Sequence, residues 1–306
     1  MSDFRLLMIS AMYENGGNTT QRLLDGHPEL FVYPFESQLG TRFVNDHLTS
    51  LFPVKYRWPV FTLDATPEQD YAAIIDEETK VRARTPGVSK FRDHAFEFSD
   101  DERLDRYVEL VGELGRSRPS NVEAFMRATF DVWKNHRPSG REEIYVGYSP
   151  VVVVDAETIL DELPRADVLH VVRNPWSAYA DTKKRPVPLA LRSYMLLWAL
   201  SQYIALQVRA RYPDRMHLLR LEDVLADPRG VLSAELGLEP AESLAGPSWN
   251  GTHLSEVYPW GTIRTPTSQA NRATADELSK AEQDEIAARA GPLLAALGYQ
   301  GFLPGA

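Results

Sequence analysis

The sequence predicts an α/β fold built on a parallel sheet. Short, continuous apolar runs at 6–9, 30–33, 144–146, 168–172 and 216–221 read as strands buried on both faces, since none alternates apolar with polar. Helical patterns at 19–25, 151–163, 189–212 and 231–238 separate the runs, so strand and helix alternate along the chain. The first run also feeds a glycine turn, Tyr13-Glu14-Asn15-Gly16-Gly17-Asn18, that opens directly into a helix.

That opening governs the rest of the reading. Asn18 or Thr19 can cap the helix, Leu23 and Leu24 can face the core, and Gly26 can end it. Strand, glycine turn and helix start together make an anion site. Glycines let the backbone approach the ligand, bare N–H groups point at it, and the helix dipole favours negative charge. An ordinary strand-to-helix turn would look the same by pattern alone. Two related motifs are absent: no Lys follows the last glycine, as a P-loop requires, and the spacing G-x-G-x-x-G does not occur.

Composition narrows the function. The chain has 306 residues and 43% apolar content, enough for a large core. Lys and Arg number 33 against 43 Asp and Glu, a net charge of −10. Nonspecific nucleic-acid binding needs a basic footprint, so nucleic acid is not an expected partner. There is no Cys, which excludes disulfides, thiolate metal sites and Cys nucleophiles. The histidines are too scattered for metal-ligand spacing, and no metal is expected. The longest apolar stretch, 194–208, is too short to span a membrane and contains Ser201 and Gln202. No basic leader precedes the first run, and a soluble, cytoplasmic protein is the expectation.

The second strand ends in Pro34-Phe35-Glu36-Ser37. A carboxylate at the end of a parallel strand lies beside the crevice where open α/β sheets bind ligands, so Glu36 is a candidate base; a solvated strand-end carboxylate is the plainer reading. The region 40–141 is read as a helical insertion over the sheet, within one domain spanning 1–306. Helical periods appear near 38–51, 68–84, 101–114 and 122–136, with a Pro- and aromatic-rich loop at 53–67. Arg92-Asp93-His94 and Lys134-Asn135-His136-Arg137 read as solvated faces. His170, inside an apolar run, reads as a hydrogen-bonded core histidine. A loop at 246–272 precedes a final helix at 276–297.

The glycine turn resembles the donor loop of sulfotransferases that use 3′-phosphoadenosine 5′-phosphosulfate (PAPS). Gly17-Asn18-Thr19 is similar to that family's Gly-Thr-Thr, and Leu23, Leu24, His27 and Pro28 match the leucines and His-Pro downstream. Arg173-Asn174-Pro175 resembles its 3′-phosphate motif, Arg-Asp-Pro followed eight residues after the Arg by Ser. Glu222-Asp223-Val224-Leu225 with Asp227-Pro228 resembles a later fold segment. Three departures stand out. Asn15 or Glu14 fills the loop's basic position, Tyr148-Ser149-Pro150 stands for Lys-Thr-Pro, and Asp181 stands for the Ser, with Thr182 one residue on.

The resemblance implies a three-layer, P-loop-nucleotide-hydrolase-like fold. It implies transfer of a sulfuryl group from PAPS to a hydroxyl or amine of an unidentified small-molecule, glycan or peptide acceptor, releasing adenosine 3′,5′-bisphosphate (PAP). Asn15, Gly16, Gly17, Asn18, Thr19 and Thr20 would hold the 5′-phosphosulfate, and Arg173 with Asp181 or Thr182 the 3′-phosphate. Arg264 or Arg272 would close over the nucleotide. Glu36 would be the base, with His27, His94 and His136 as other candidates. Arg173→Ala is then expected to weaken donor binding and leave the fold intact. A homodimer remains open. The missing cations keep a catalytically silent nucleotide-binding protein of the same fold as an alternative, and a P-loop-like kinase as another.

Overall fold

A computed structural model describes residues 3–89, 91–254 and 268–303. Five strands form one parallel sheet in the order β2-β3-β1-β4-β5. They are β1 (Arg5–Ser10), β2 (Leu30–Val32), β3 (Ile144–Tyr148), β4 (Ala166–Val172) and β5 (Met216–Arg220). β1 is central because it is buried almost throughout, and it pairs β3 on one side and β4 on the other. The chain reverses its winding across β1. Ligands of open α/β sheets gather at such a reversal, beyond the carboxyl ends of the strands.

Helices cover the sheet: α1 (Gly17–Leu24), α6 (Ala156–Glu162), α7 (Pro175–Thr182), α8 (Leu191–Arg211), α9 (Leu221–Ala226) and α10 (Pro228–Leu236). Between β2 and β3 lie α2 (Pro67–Ala73), α3 (Glu77–Arg84), α4 (Asp100–Leu114) and α5 (Arg118–Asp131). A two-stranded ribbon, Ser248–Trp249 with Thr252–His253, and α11 (Ser268–Ala275), α12 (Lys280–Ala290) and α13 (Pro292–Ala296) follow. No helix among the described residues is long and apolar enough to cross a membrane.

One apolar cluster joins Leu6 and Met8 of β1, Val168 of β4 and Ala205 of α8 to Tyr107, Phe125 and Trp133 of the inserted region. A buried guanidinium fixes that region further. Arg103 pairs with Asp76 (2.7 Å) and Asp100 (2.8 Å) and donates to the hydroxyls of Tyr71 (2.6 Å) and Tyr33 (3.2 Å). Tyr33 directly follows β2, so this network fastens the insertion to the sheet edge.

Three expected helices differ. Residues 38–51 form no helix beyond a 3-10 turn, His47–Ser50. Here Gln38 and Gly40 give their carbonyls to the N–H groups of Asp76 (2.9 Å) and Ile75 (3.1 Å). Gly40 lies so close to another strand of chain that a Cβ would sit 1.7 Å from the Val54 carbonyl oxygen. Tertiary pairing overrides a local helical period. The period at 68–84 is broken at Asp76, whose backbone is left-handed (φ 33°). The final helix is broken at Gly291 (φ 47°), followed by Pro292.

Candidate functional site

At the carboxyl end of β1, Gly16 holds a left-handed conformation (φ 92°) and starts α1 with no side-chain cap. Neither Asn18 nor Thr19 serves as the cap; both lie inside the first turn. The first intrahelical bond is made by the Thr20 N–H to the Gly16 carbonyl (2.9 Å), where the Thr20 hydroxyl also donates (3.0 Å). The N–H groups of Gly17, Asn18 and Thr19 therefore precede the helical ladder, the group arrangement that receives an anion. Gly17 is required: a Cβ there would meet the Tyr148 ring at 2.2 Å. Tyr148 thus lies over the turn, at the position where the resemblance expects a lysine.

Asn15, at one register for the missing loop cation, is a buried tie. Its amide donates to the Tyr13 carbonyl (2.9 Å) and receives no freedom from Tyr194, whose hydroxyl it also reaches (3.1 Å). Its oxygen accepts the Arg173 backbone N–H (2.9 Å). One amide proton thus closes the turn on itself, while the other and the oxygen bind it to α8 and to the residue that follows β4. Glu14, at the other register, has φ 60° and gives its carbonyl to Arg173 (3.0 Å).

Glu36 is 8% exposed. Its carboxylate accepts from Asn18 Nδ2 (3.3 Å), which places it against the first turn of α1. Its backbone N–H donates to Glu78 (3.1 Å). Burial, and then the charge of Glu36, push the Tyr148 phenol well above its ordinary range. Burial first, and then the same carboxylate, raise the phenol of Tyr56 as well. The other base candidates lie away from the turn. His27 follows the far end of α1, with Nε2 donating to the Glu239 carbonyl (2.8 Å) and Nδ1 accepting the Glu29 N–H (3.2 Å). His94 packs on Trp249, and His136 on Phe31, Phe130 and Trp133; desolvation lowers the pKa of both.

Arg173 ends the β4 segment next to the same turn and is fully buried. Its Nη1 pairs with Asp181 (2.7 Å), and its Nε donates to Asn271. Asp181 is itself buried and also pairs with Lys184 (3.0 Å). The anion that Arg173 holds is therefore a carboxylate of its own chain; among the described residues Nη2 alone finds no partner. Arg173→Ala is therefore expected to cost stability as well as donor binding. Breaking a buried pair strands a charge and costs about 3–5 kcal/mol, although Lys184 still serves Asp181. Thr182 turns its hydroxyl to the Ala178 carbonyl (2.8 Å).

Arg264 lies outside the described residues. Arg272 donates to the Phe302 carbonyl and stacks over that ring, 5.5 Å from its centroid. Sequence reasoning missed Asn271, far along the chain yet bonded to Arg173, and missed Tyr56 beside Glu36. It placed Glu222 in the fold only. That carboxylate accepts from the backbone and side chain of Asn174 (3.1 and 2.7 Å) and from the Tyr299 hydroxyl (2.8 Å), and so braces the start of α7. Its Glu-Asp pairing ahead of an Asp-Pro was the only signal. Among the described residues no three His, Asp or Glu side chains gather to hold a metal.

A parallel sheet whose central strand opens into an uncapped, glycine-started helix, with a carboxylate against that helix, defines an α/β protein with a crevice at the carboxyl end of its central strand. The sequence pattern of the sulfotransferase family matches residues 16–234, and the chain belongs to that family. No curated protein matches it. Among solved structures it is similar to the sulfotransferase domain from the curacin biosynthetic pathway (16% identity, 94% of this chain and 96% of that one, TM-score 0.48). It is also similar to a sulfotransferase from Alicyclobacillus acidocaldarius (15%, 95% of each chain, 0.47) and to sulfotransferase STF1 from Mycobacterium tuberculosis H37Rv (14%, 90% and 77%, 0.38).

Proposed function

We propose that the protein transfers a sulfuryl group from PAPS to a hydroxyl or amine. The observation that carries this reading is the contact between Glu36 and Asn18, which sets a carboxylate beside the N–H groups that open α1. The donor's 5′-phosphosulfate would lie on the N–H groups of Gly17, Asn18 and Thr19. Glu36 would take the acceptor's proton as its oxygen or nitrogen attacks sulfur in line, and the bond from sulfur to the bridging oxygen breaks, releasing PAP. With Asn15 committed to the scaffold, stabilisation of the leaving phosphate falls to the helix N-terminus and its dipole. Arg173 would meet the 3′-phosphate through Nη2, or through Nη1 after Asp181 gives way.

The pairing of Arg173 with Asp181 favours a second reading, a silent nucleotide-binding protein in which an internal carboxylate replaces the phosphate. Thermal shift separates the two. PAP at a hundred times its Kd should stabilise the enzyme by about 2.7 kcal/mol, and ATP should not. Stabilisation by PAP with no PAP formed from PAPS, over a broad acceptor set, selects the silent protein. Stabilisation by ATP alone would point to a kinase, and no response to either would overturn both donor-site readings.

A further inference from the structure

A second site lies on the insertion, outside the crevice. α3 presents Glu77, Lys80, Val81 and Arg84 at helical spacing, and these residues line an open cavity of about 770 Å³. The opposite wall is the 3-10 turn Val54–Tyr56 with the proline before it. Val54, Ile75 and Val81 make the lining mostly apolar. The volume suits a small organic molecule.

The charges in this cavity point to the ligand. Lys55, Lys80 and Arg84 face a single carboxylate, Glu77, in a chain whose net charge is −10. Glu77 is taken by Lys55 (2.6 Å), and Arg84 pairs outside the lining with Asp100 (2.6 Å). Lys80 differs from both: it has no ion pair among the described residues. Its ammonium donates to the Ile74 carbonyl (2.6 Å), which uses one of three N–H groups, and lies 6.0 Å from the Tyr71 ring centroid, so a carboxylate is the partner it is without. The nearby carboxylates Asp76 and Asp100 are bound to Arg103. Desolvation lowers the pKa of Lys80, the mark of a cation that burial has deprived of water. An anion in the cavity would restore what the ammonium lacks, while apolar walls would cover a hydrocarbon body.

We infer that this cavity binds an amphipathic organic anion, with the acid group at Lys80 and the apolar portion against Val54, Ile75 and Val81. The inference is independent of the sulfuryl-transfer reading. It does bear on the crevice by position, because the cavity's walls also hold the base candidate: Glu78 of α3 accepts the Glu36 N–H.

Titration calorimetry on the full chain tests it with dodecanoate, dodecanol and dodecylammonium as probes, all below micelle-forming concentrations. Dodecanoate should bind one to one, at least about tenfold more tightly than dodecylammonium. Lys80→Met keeps the apolar stem and removes the charge; it should weaken dodecanoate about tenfold or more and leave dodecanol unchanged. Val81→Trp should crowd the apolar wall and weaken binding of both. Glu36→Gln should leave dodecanoate binding intact, whether or not PAP binds. Equal affinity for the cationic probe, unchanged dodecanoate affinity in folded Lys80→Met, or unchanged binding in folded Val81→Trp would each overturn the site.

Discussion

Asp181 holds Arg173 by a 2.7 Å pair in the interior, and the consequence can be measured. Asp181→Ser leaves the guanidinium buried with Asn271 and the Glu14 carbonyl for company, so the ligand-free protein should lose about 3 kcal/mol or more. The same change frees Nη1 for an outside anion. PAP affinity should then rise about tenfold or more, the worth of one charge-assisted bond, and PAP should restore the lost stability. Calorimetry of both forms reads the two effects; unchanged PAP affinity would remove Nη1 from the donor site and leave Nη2 as the only route by which Arg173 meets the 3′-phosphate. Glu36→Gln is the companion test. Gln keeps the contact with Asn18 but cannot take a proton, so single-turnover transfer should fall by about two to four decades with PAP affinity unchanged. Normal single-turnover rates would place the base elsewhere. Glu36 and Arg173 could be singled out in the sequence because each follows a strand, β2 and β4, that leads toward the turn. The internal partners were not: Asp181 could be seen to repel a phosphate, but only the packed interior reveals that it replaces one, and Asn271 joins Arg173 from 98 residues away.

At the scale of elements, the strands could be read because burial on both faces leaves continuous apolar runs, and those runs mark all five strands to within two residues at either end. The segment after Glu36 could not, because its conformation is set by α3 and by the chain near Val54 rather than by its own period. Gly40→Ala should expose this dependence. A methyl against the Val54 carbonyl must displace the backbone, costing about 1–3 kcal/mol, and the shift should carry Glu36 with it and lower kcat more than stability alone explains. The packing of β4 on α8 supplies a pH test. His170 donates from Nε2 to Gln202 (2.8 Å), its buried Nδ1 has no partner among the described residues, and desolvation lowers its pKa to about 4. The unfolded chain, with an ordinary histidine near 6.5, binds the proton first as pH falls. Between about pH 6.5 and 4 the unfolded state therefore gains protons that the folded state refuses, and stability declines by up to about 3 kcal/mol. In His170→Gln that part of the decline should vanish; an identical pH profile in the variant would show that His170 titrates normally in the fold.

For the molecule as a whole, the question is whether insertion and sheet unfold together. The sequence reads 40–141 as a helical insertion within one domain, helical where the flanking chain alternates strand and helix. Its aromatic residues share one apolar cluster with β1, β4 and α8, and Arg103 ties it to Tyr33 beside β2. Neither link could be anticipated, since both depend on which faces of α4 and α5 turn toward the sheet. If those contacts make one cooperative unit, a cavity in the insertion must weaken the sheet as well. Phe125 of α5 is fully buried, stacks near Tyr33 (ring centroids 6.3 Å apart) and lies under the Arg103 guanidinium (4.6 Å). Phe125→Ala should cost about 3–5 kcal/mol. The loss should appear as one shifted transition, coincident by far-ultraviolet dichroism, which reports all the helices, and by exchange protection of the β1 and β4 amides. A first transition that melts α4 and α5 while the β1 and β4 amides stay protected would show two domains instead. In that case Glu36, whose main chain is held by α3, should lose its position with the insertion, and the proposed transfer activity should disappear at the first transition while the fold around the glycine turn persists.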